Sequence, residues 1–203
     1  MAVVQTRKGV VIPAIIHTIW CGERMPFEVW KSVWSVGERH ADWSHIIWNE
    51  AMLGAIGFDV PALKEQLGSW ASVTNWLRLQ LLYRFGGFYL DADVECLRAL
   101  DGLRETTDEA LAAMQDGGRI CNAVMAAVPA APWVKWQIDH WQDFDQKDAA
   151  SGVYLATAAP RAGLRLLEPK LVYPWLYDAP PEQRIPHADS LLVHHWLGTW
   201  TKK

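Results

Sequence analysis

The sequence has few cysteines, no long basic run and no long apolar run, and each shortage argues against a class of protein. Its three cysteines are widely spaced, which argues against a disulfide framework or a CxxC zinc knuckle and favours a reducing compartment. The net charge is −4 without a Lys/Arg cluster, so we expect no stable nucleic-acid binding. The apolar stretch Val10–Trp20 is too short to span a bilayer. We therefore predict no membrane span and a cytoplasmic protein.

Tryptophan is abundant instead, with 13 copies. Indole rings stack well on the C–H faces of sugars, so a carbohydrate site is one interpretation. Burial in the core, with each N–H bonded to a partner, is the other, and it accounts for most of them. The 203 residues are 51% hydrophobic and 21% charged, an ordinary globular balance, and we assign residues 1–203 to a single domain.

Predicted strands and helices alternate along the chain, which indicates the α/β fold class. Apolar and β-branched runs predict strands over Val10–Trp20, Trp43–Trp48, Phe88–Leu90, Val94–Leu97, Arg119–Val128 and Ser190–Trp196. Helical spacing and stop signals predict helices over Pro26–Arg39, Ala51–Leu67 (interrupted near Gly57 and Pro61), Thr74–Phe85, Thr106–Met114, Pro132–Phe144 and Ser151–Ala159. The proline-rich segment Pro174–Pro186 is predicted to be irregular.

Two aspartates, Asp91 and Asp93, directly follow the strand Phe88–Leu90. Carboxylates at i and i+2 point to one side of an extended chain, at the strand end where open α/β sheets bind ligands. Such a pair suits a hard divalent cation that neutralises a diphosphate. A lone Asp-x-Asp is more often a solvated turn, but two like charges beside an apolar strand are costly unless a cation or strong donor compensates them. Gly86-Gly87 before the strand permits a tight turn, ends the helix, or does both.

Other polar residues have two interpretations each. Asn75 and Arg78 share one face of the preceding helix. Arg78 is suited to hold a phosphate or a sugar hydroxyl; the alternative is an exposed helix arginine or a salt bridge with one of the aspartates. His17, inside a buried strand, is better explained as a hydrogen-bonded core histidine. The pair His194-His195 is either structural or completes a metal shell.

The segment 71–97, ASVTNWLRLQLLYRFGGFYLDADVECL, resembles the DxD sugar-binding region of family 32 glycosyltransferases, which include initiating mannosyltransferases and, more distantly, clostridial glucosylating toxins. Residues in register with the family pattern are Arg78, Leu82, Gly86, Gly87, Tyr89, Asp91 and Asp93. In addition, 12–22 resembles the family's opening strand, and 194–200 resembles its closing H-x-x-x-x-S/T-W motif. Weaker similarities lie at 119–127, near a family Asn, and at 151–155, near a family Gly-Pro.

The resemblance implies a GT-A fold, a Rossmann-like nucleotide-binding sheet flanked by helices. It also implies a Mn²⁺- or Mg²⁺-dependent, retaining transfer of a sugar from a UDP- or GDP-sugar donor to an unidentified acceptor, a glycan or another molecule. By position it implies the catalytic residues Asp91, Asp93 and Arg78, and the metal ligands Asp91, Asp93 and His194. The donor-binding residues that it implies are Trp20, Asn75, Arg78, Tyr89, Asp91, Asn122, Thr199 and Trp200.

Two positions depart from the family pattern and keep alternatives open. Asn75 stands where the family usually has Asp, and Gly152-Val153 where it has Gly-Pro. One alternative is a non-catalytic nucleotide-sugar or carbohydrate-binding domain that retains the metal site. The other is a haloacid-dehalogenase-like phosphatase, whose strand also ends in Asp-x-Asp. Here Val94-Glu95 follows the motif where Gly-Thr is usual in that class, which disfavours the phosphatase.

Overall fold

The structure, a computed structural model, describes residues 9–115 and 118–198. Its strands are β1 Val10–Val11, β2 Ile15–Ile19, β3 Ser44–Trp48, β4 Gly87–Leu90, β5 Val94–Cys96, β6 Glu105–Thr106, β7 Ala110–Met114, β8 Ile120–Ala127, β9 Leu164–Leu167 and β10 Leu192–His194. Its helices are α1 Phe27–Arg39, α2 Glu50–Ala55, α3 Val60–Leu67, α4 Trp70–Phe85, α5 Asp101–Arg104, α6 Pro132–Asp139, α7 Ser151–Ala158 and α8 Pro169–Val172. In the part of the chain described, no helix combines the length and apolarity needed to cross a membrane.

Six strands form the main sheet, in the order β3-β2-β4-β8-β7-β9. Neighbouring strands run parallel except at β8, which is antiparallel to both β4 and β7. Two small antiparallel sheets, β1 with β6 and β5 with β10, lie outside it. Alternating strands and helices thus give the α/β class that the sequence predicts, because parallel neighbours need long crossover connections.

Most predicted elements form close to their predicted positions. Helix α4 begins before the predicted Thr74, because the side chain of Ser69 accepts a hydrogen bond from the Ser72 N–H (3.1 Å) and caps it. The predicted strand Val10–Trp20 is divided into β1 and β2, with Pro13, which has no N–H to donate, between them. The predicted start of α4 is therefore refined. The prediction of a single strand over Val10–Trp20 is wrong.

The predicted helix Thr106–Met114 is wrong, since this segment contains the last residue of β6 and the whole of β7. Its Ala, Leu, Glu and Met residues favour helix by local propensity. In the fold, β7 lies between β8 and β9, and Ala110, Ala112 and Ala113 are at most 1% exposed. Small side chains that fit between the layers packed on the sheet outweigh local propensity here. Similarly, β9, α5 and α8 were not predicted, and the helix predicted for 132–144 ends at Asp139.

Buried side chains form a cluster on each face of the main sheet. Alternation along β4 sends Tyr89 to one cluster, with Leu77 and Leu81 of α4, and sends Phe88 and Leu90 to the other. Consequently Tyr89 faces α4. The side chain two residues later, at the end of the strand, starts on the same side of the sheet.

The turn Gly86-Gly87 joins α4 to β4 and needs glycine at both positions. Gly86 has φ +64°, and an added Cβ would lie 2.6 Å from Cδ of Pro129. Gly87 has φ +90°, and its Cβ would lie 2.5 Å from the carbonyl oxygen of Ile15 in β2. The two glycines therefore end the helix and also let β4 approach β2 closely, so both interpretations of the pair hold.

The order of connection reverses between β3 and β4, and open α/β sheets form their ligand-binding crevice at such a point. From β2 the chain crosses to β3 on one side, and then returns to β4 on the other side. In open α/β sheets, ligands bind at the carboxyl ends of strands where the order reverses in this way. Trp20 follows β2 and Asp91 follows β4, so both lie at this crevice.

Candidate functional site

The Asp-x-Asp segment forms a turn at the end of β4. The N–H of Asp91 still donates to the carbonyl of Ala123 in β8 (2.9 Å), and then the N–H of Val94 donates back to the carbonyl of Asp91 (2.9 Å). The expected extended conformation of Asp91–Asp93 is therefore wrong. The chain turns because β5 leaves the main sheet to pair with β10.

Asp91 is held by two side chains from the same face of the sheet. The buried guanidinium of Arg78 forms a salt bridge with its Oδ1 (3.1 Å), and the hydroxyl of Tyr89 donates to the same atom (2.9 Å). Burial raises the pKa of Tyr89 well above its ordinary value, so this hydroxyl remains a donor. The Arg78 guanidinium also lies over the Tyr89 ring, 4.5 Å from its centroid. The salt bridge is one of the roles considered for Arg78, and the alternative of an exposed arginine is wrong because the residue is buried.

Arg78 also donates hydrogen bonds to backbone carbonyls. Its Nη1 donates to the carbonyl of Asn122 (2.6 Å) and its Nε to that of Thr74 (3.1 Å), and the residue is only 3% exposed. The Arg78 guanidinium is therefore bonded to groups of the protein itself, and it acts on the crevice by holding Asp91. Its implied contact with the donor sugar stays a prediction.

Asp93 pairs with His194, which lies 101 positions later in the chain. The pairing of β5 with β10 sets Val94 opposite His194, which brings the His194 Nε2 to 3.2 Å from the Asp93 Oδ1. The Leu197 N–H donates to the other carboxylate oxygen (2.8 Å). Burial alone would raise the pKa of Asp93, but His194 and this N–H outweigh it and lower the pKa. Burial likewise opposes charge on His194, but Asp93 raises its pKa to about 10.

Asp91, Asp93 and His194 form a candidate metal centre. Each offers a ligand atom, and the three atoms lie within 4.8 Å of one another. Two carboxylates and one imidazole suit a hard divalent cation such as Mn²⁺ or Mg²⁺. The Nδ1 of His194 is buried without a hydrogen-bond partner among the described residues, with the Cys121 thiol beside the ring. The donor set fits the cation that the sequence resemblance implies, and the three residues predicted as metal ligands do meet.

Trp20 lies beside this centre. Its indole N–H donates to the carbonyl of Glu23 (2.8 Å), and the half-buried ring packs on a small cluster that includes Ala92, between the two aspartates, and Leu197. The predicted residue is thus at the crevice, with its ring orientation fixed. Its stacking on a nucleotide base stays a prediction. The predicted residues Thr199 and Trp200 lie outside the described residues.

Asn75 and Asn122, predicted to bind the donor, form a buried pair. The Asn122 Nδ2 donates to the Asn75 Oδ1 (2.8 Å), and the Asn75 Nδ2 donates to the carbonyl of Ala149, just before α7 (3.0 Å). Gly152 packs against this pair, and an added Cβ would lie 2.9 Å from the Asn75 Cγ. Asn75, Asn122 and Gly152, each singled out from the sequence, therefore lie together, and the two asparagines are hydrogen-bonded to each other.

The remaining histidines behave as structural groups. His17 accepts a hydrogen bond from the Trp48 indole (3.0 Å) and bonds the carbonyl of Gly86 (2.9 Å), as expected of a core histidine. Burial lowers the pKa of His17 to about 4. His195 lies 2.8 Å from a Glu95 carboxylate oxygen and points away from Asp93. Of the pair His194-His195, only the first faces the aspartates.

The sequence offered no signal for Tyr173, which supports the site from behind. Its buried hydroxyl bonds the backbone of β8 at Val124 and Cys121 (3.1 and 3.4 Å), where β8 bulges beside Asp91. Nothing in the local pattern around Tyr173 distinguishes it from an ordinary core aromatic. Only the approach of α8 to the sheet gives it this role.

Comparison with known proteins agrees with this geometry. Residues 26–110 match the family described as "Glycosyltransferase sugar-binding region containing DXD motif". Inositol phosphoceramide mannosyltransferase 3 of Schizosaccharomyces pombe is 33% identical over 105 residues, which cover 49% of this chain and 29% of that protein. The chain spans less than half the length of the curated relatives it matches, 29% to 44%.

Solved structures share the fold at low identity. The PaToxG glycosyltransferase has a TM-score of 0.58 at 16% identity, with 73% of this chain and 68% of that chain covered. A glycosyltransferase involved in glycosylation of the major capsid of PBCV-1 has a TM-score of 0.56 at 15% identity, with 92% and 94% covered. These matches confirm the predicted resemblance: residues 26–110 are similar to the DXD sugar-binding region of glycosyltransferases, and the chain shares the GT-A fold of the solved structures.

Proposed function

We propose that this chain is a metal-dependent, retaining glycosyltransferase that moves a sugar from a nucleotide-sugar donor to an acceptor. The observation that carries the proposal is the meeting of Asp91, Asp93 and His194, with ligand atoms within 4.8 Å of one another, at the crevice of a GT-A sheet. The names of the curated relatives make mannose the first donor sugar to test and inositol phosphoceramide the first acceptor. A cytoplasmic location stays a prediction.

The site residues divide into those that bind and those that hold the binding groups. A Mn²⁺ or Mg²⁺ ion held by Asp91, Asp93 and His194 would neutralise a diphosphate and so favour departure of the nucleoside diphosphate. Arg78, behind Asp91, holds that carboxylate in place through their salt bridge. Trp20 presents a ring beside the same crevice, suited to stack on a nucleotide base.

Retention is part of the proposal and follows from the family resemblance. The donor ionises, the acceptor hydroxyl attacks the anomeric carbon on the face that the diphosphate leaves, and a diphosphate oxygen takes the hydroxyl proton. The C–O bond to the diphosphate breaks as the C–O bond to the acceptor forms. In this scheme no side chain acts as a covalent nucleophile. A glycosyl-enzyme adduct trapped in any variant of this chain would contradict it.

The first experiment tests metal and donor together. We expect a GDP- or UDP-sugar to raise the melting temperature and to be hydrolysed only with Mn²⁺ present, because ligands that bind the folded state alone stabilise it. Asp93→Asn should abolish both effects. Asp59→Asn is the matched control, since Asp59 is an exposed N-cap of α3 and Asn caps equally well.

The outcomes separate the candidate functions. Metal-dependent stabilisation without hydrolysis or transfer would favour a non-catalytic nucleotide-sugar-binding domain instead. Release of phosphate from a generic aryl phosphate would favour the phosphatase, which the family match and the shared folds already disfavour. No response of the parent protein to any nucleotide sugar, with or without metal, would refute the proposed function.

A further inference from the structure

A line of buried amide hydrogen bonds connects α4, β8 and the start of α7. The Asn75 Nδ2 donates to the carbonyl of Ala149 (3.0 Å), and its Oδ1 accepts from the Asn122 Nδ2 (2.8 Å). Asn75 is 4% exposed and Asn122 is 8% exposed. Water therefore has little access to replace either bond, and each lost partner leaves a buried polar group unpaired.

The chemistry of these two bonds requires an amide at position 75. The carbonyl of Ala149 needs a donor, and the Nδ2 of Asn122 needs an acceptor. An amide supplies both, whereas an ionised carboxylate supplies acceptors alone and would turn an oxygen toward the Ala149 carbonyl. Close packing by Gly152 of α7 leaves no room for the pair to rearrange, since an added Cβ there would overlap the Asn122 side-chain nitrogen.

The second amide, Asn122, belongs to a bulge in β8. The pairing with β7 shifts from Ala112 opposite Met125 to Ala113 opposite Cys121, which leaves residues 122–124 as extra residues on β8. Bulges re-aim side chains and backbone groups beside functional sites. The Asn122 side chain, bonded to Asn75, fixes one end of this bulge.

The bulge in turn holds Asp91 by two routes. The carbonyl of Asn122 accepts from the Arg78 Nη1 (2.6 Å), and Arg78 forms the salt bridge with Asp91 (3.1 Å). Next along the bulge, the carbonyl of Ala123 accepts from the N–H of Asp91 itself (2.9 Å). Both the side chain and the backbone of Asp91 therefore depend on the backbone position of residues 122 and 123.

We infer that Asn75 is a positioning residue for Asp91, acting through Asn122 and the bulge of β8. It fixes the carboxylate from behind and need not touch the donor. The inference rests on the proposed function for its kinetic and metal-binding readouts, while its structural readout is independent of any ligand.

The experiment compares Asn75→Asp, Asn75→Ala and the matched control Asn49→Asp. Asn49 is an exposed N-cap whose Oδ1 accepts from the Met52 N–H (2.9 Å), a role that Asp fills equally well. The alanine variant removes both bonds without adding charge, so the result does not depend on tolerance of a buried carboxylate. Amide hydrogen exchange, the Mn²⁺ dissociation constant and donor hydrolysis are measured for the full chain.

We expect Asn75→Ala, which removes the acceptor of the Asn122 Nδ2, to exchange the amides of Asp91 and Val124 about tenfold faster, as the loss of one buried hydrogen bond to the bulge predicts. Asn75→Asp keeps that acceptor and loses only the bond to Ala149, so its increase should be smaller. The Mn²⁺ dissociation constant should rise by about tenfold, the lower range for groups that orient metal ligands. Where a donor is cleaved, kcat should fall with KM nearly unchanged. The Asn49 variant should match the parent in all three.

Three results would overturn the inference. Unchanged exchange at Asp91 in both folded Asn75 variants would show that Asn75 supports α7 alone. Unchanged Mn²⁺ affinity and kcat despite faster exchange would show that the bulge does not position Asp91 for function. A rise in KM alone would indicate a direct donor contact. If the parent binds no Mn²⁺ and cleaves no donor, the proposed function fails, and exchange at Asp91 still decides the structural link.

Discussion

Removal of the Arg78 guanidinium is the sharpest test of how the site is held. Arg78→Met keeps most of the packing volume but removes the ion pair with Asp91, which then keeps the Tyr89 hydroxyl as a donor, and removes the guanidinium donors of the Asn122 and Thr74 carbonyls. Breaking a buried ion pair by removing one partner costs about 3–5 kcal/mol. The Asp91 side chain is 26% exposed, so water compensates it in part, and we expect a loss of about 2–4 kcal/mol in the free energy of unfolding.

Thermal and urea unfolding measure this loss. For a chain of this size, 1 kcal/mol corresponds to roughly 2–4 °C, so the melting temperature should fall by about 4–16 °C. Arg84→Met is the matched control on the same helix, because the exposed Arg84 donates to the carbonyl of Ile56 (3.0 Å) and lies over the rings of Phe58 and Phe85 (5.6 Å to each centroid). Loss of such exposed contacts costs about 1 kcal/mol or less. The melting temperature of Arg78→Lys should lie between those of the parent and Arg78→Met, because an ammonium group keeps the charge but lacks the planar, forked geometry of the guanidinium.

A double-mutant cycle with Asp91→Asn isolates the ion pair. We expect a coupling energy of about 1–2 kcal/mol between positions 78 and 91, since the two side chains are in direct contact. A coupling near zero would show that Arg78 stabilises the fold through the carbonyls alone. A cost for Arg78→Met no larger than that for Arg84→Met would refute the account of Arg78 as the support of Asp91.

Two further predictions concern packing and pH. Gly152→Ala should lower the free energy of unfolding, measured in urea, by about 1–3 kcal/mol, because the added methyl group overlaps the Asn122 side chain. Gly54→Ala in α2, which has open space around it, is the control and should be neutral or stabilising. Equal effects of the two substitutions would contradict the packing of Gly152 against Asn122. Burial lowers the pKa of His17 from 6.5 to about 4, so its contribution is complete above pH 6.5 and is lost as the pH falls toward 4, by about 1.4 kcal/mol per pH unit. His17→Gln should reduce the loss of stability between pH 6.5 and pH 4. An unchanged loss would show that groups other than His17 cause it.

Local sequence accounts for the core of the candidate site. The apolar strand ending at Asp91, the glycine turn at Gly86-Gly87 and the helix that carries Arg78 each depend on residues within a turn or a strand of one another. Their positions in the structure agree with the sequence pattern. The three residues predicted as metal ligands also come together, although the turn that places Asp93 was expected to be extended.

Other features followed from packing that no local pattern encodes. Helix-favouring residues at 110–114 form β7 because small side chains are needed between the layers packed on the sheet. The salt bridge of Arg78 with Asp91 depends on the position of Asn122, 44 residues from Arg78, whose carbonyl accepts a hydrogen bond from the guanidinium. Tyr173 has its role only because the fold brings its hydroxyl, at the end of α8, to the backbone of Val124 in β8.

The sequence by itself determined the α/β class, the strand that presents the aspartates and the turn that precedes it, because these depend on spacing and conformational preference over a few residues. The tertiary structure decided which histidine meets Asp93, what Asn75 binds and how Asp91 is held. The first two join groups 47 to 101 residues apart, and the third depends on the contact of Arg78 with Asn122, 44 residues away; the pairing of β5 with β10 and the bulge in β8 fix these distances. Such contacts are set by the packing of the whole sheet, and hydrogen-bonding capacity at one position does not specify its distant partner.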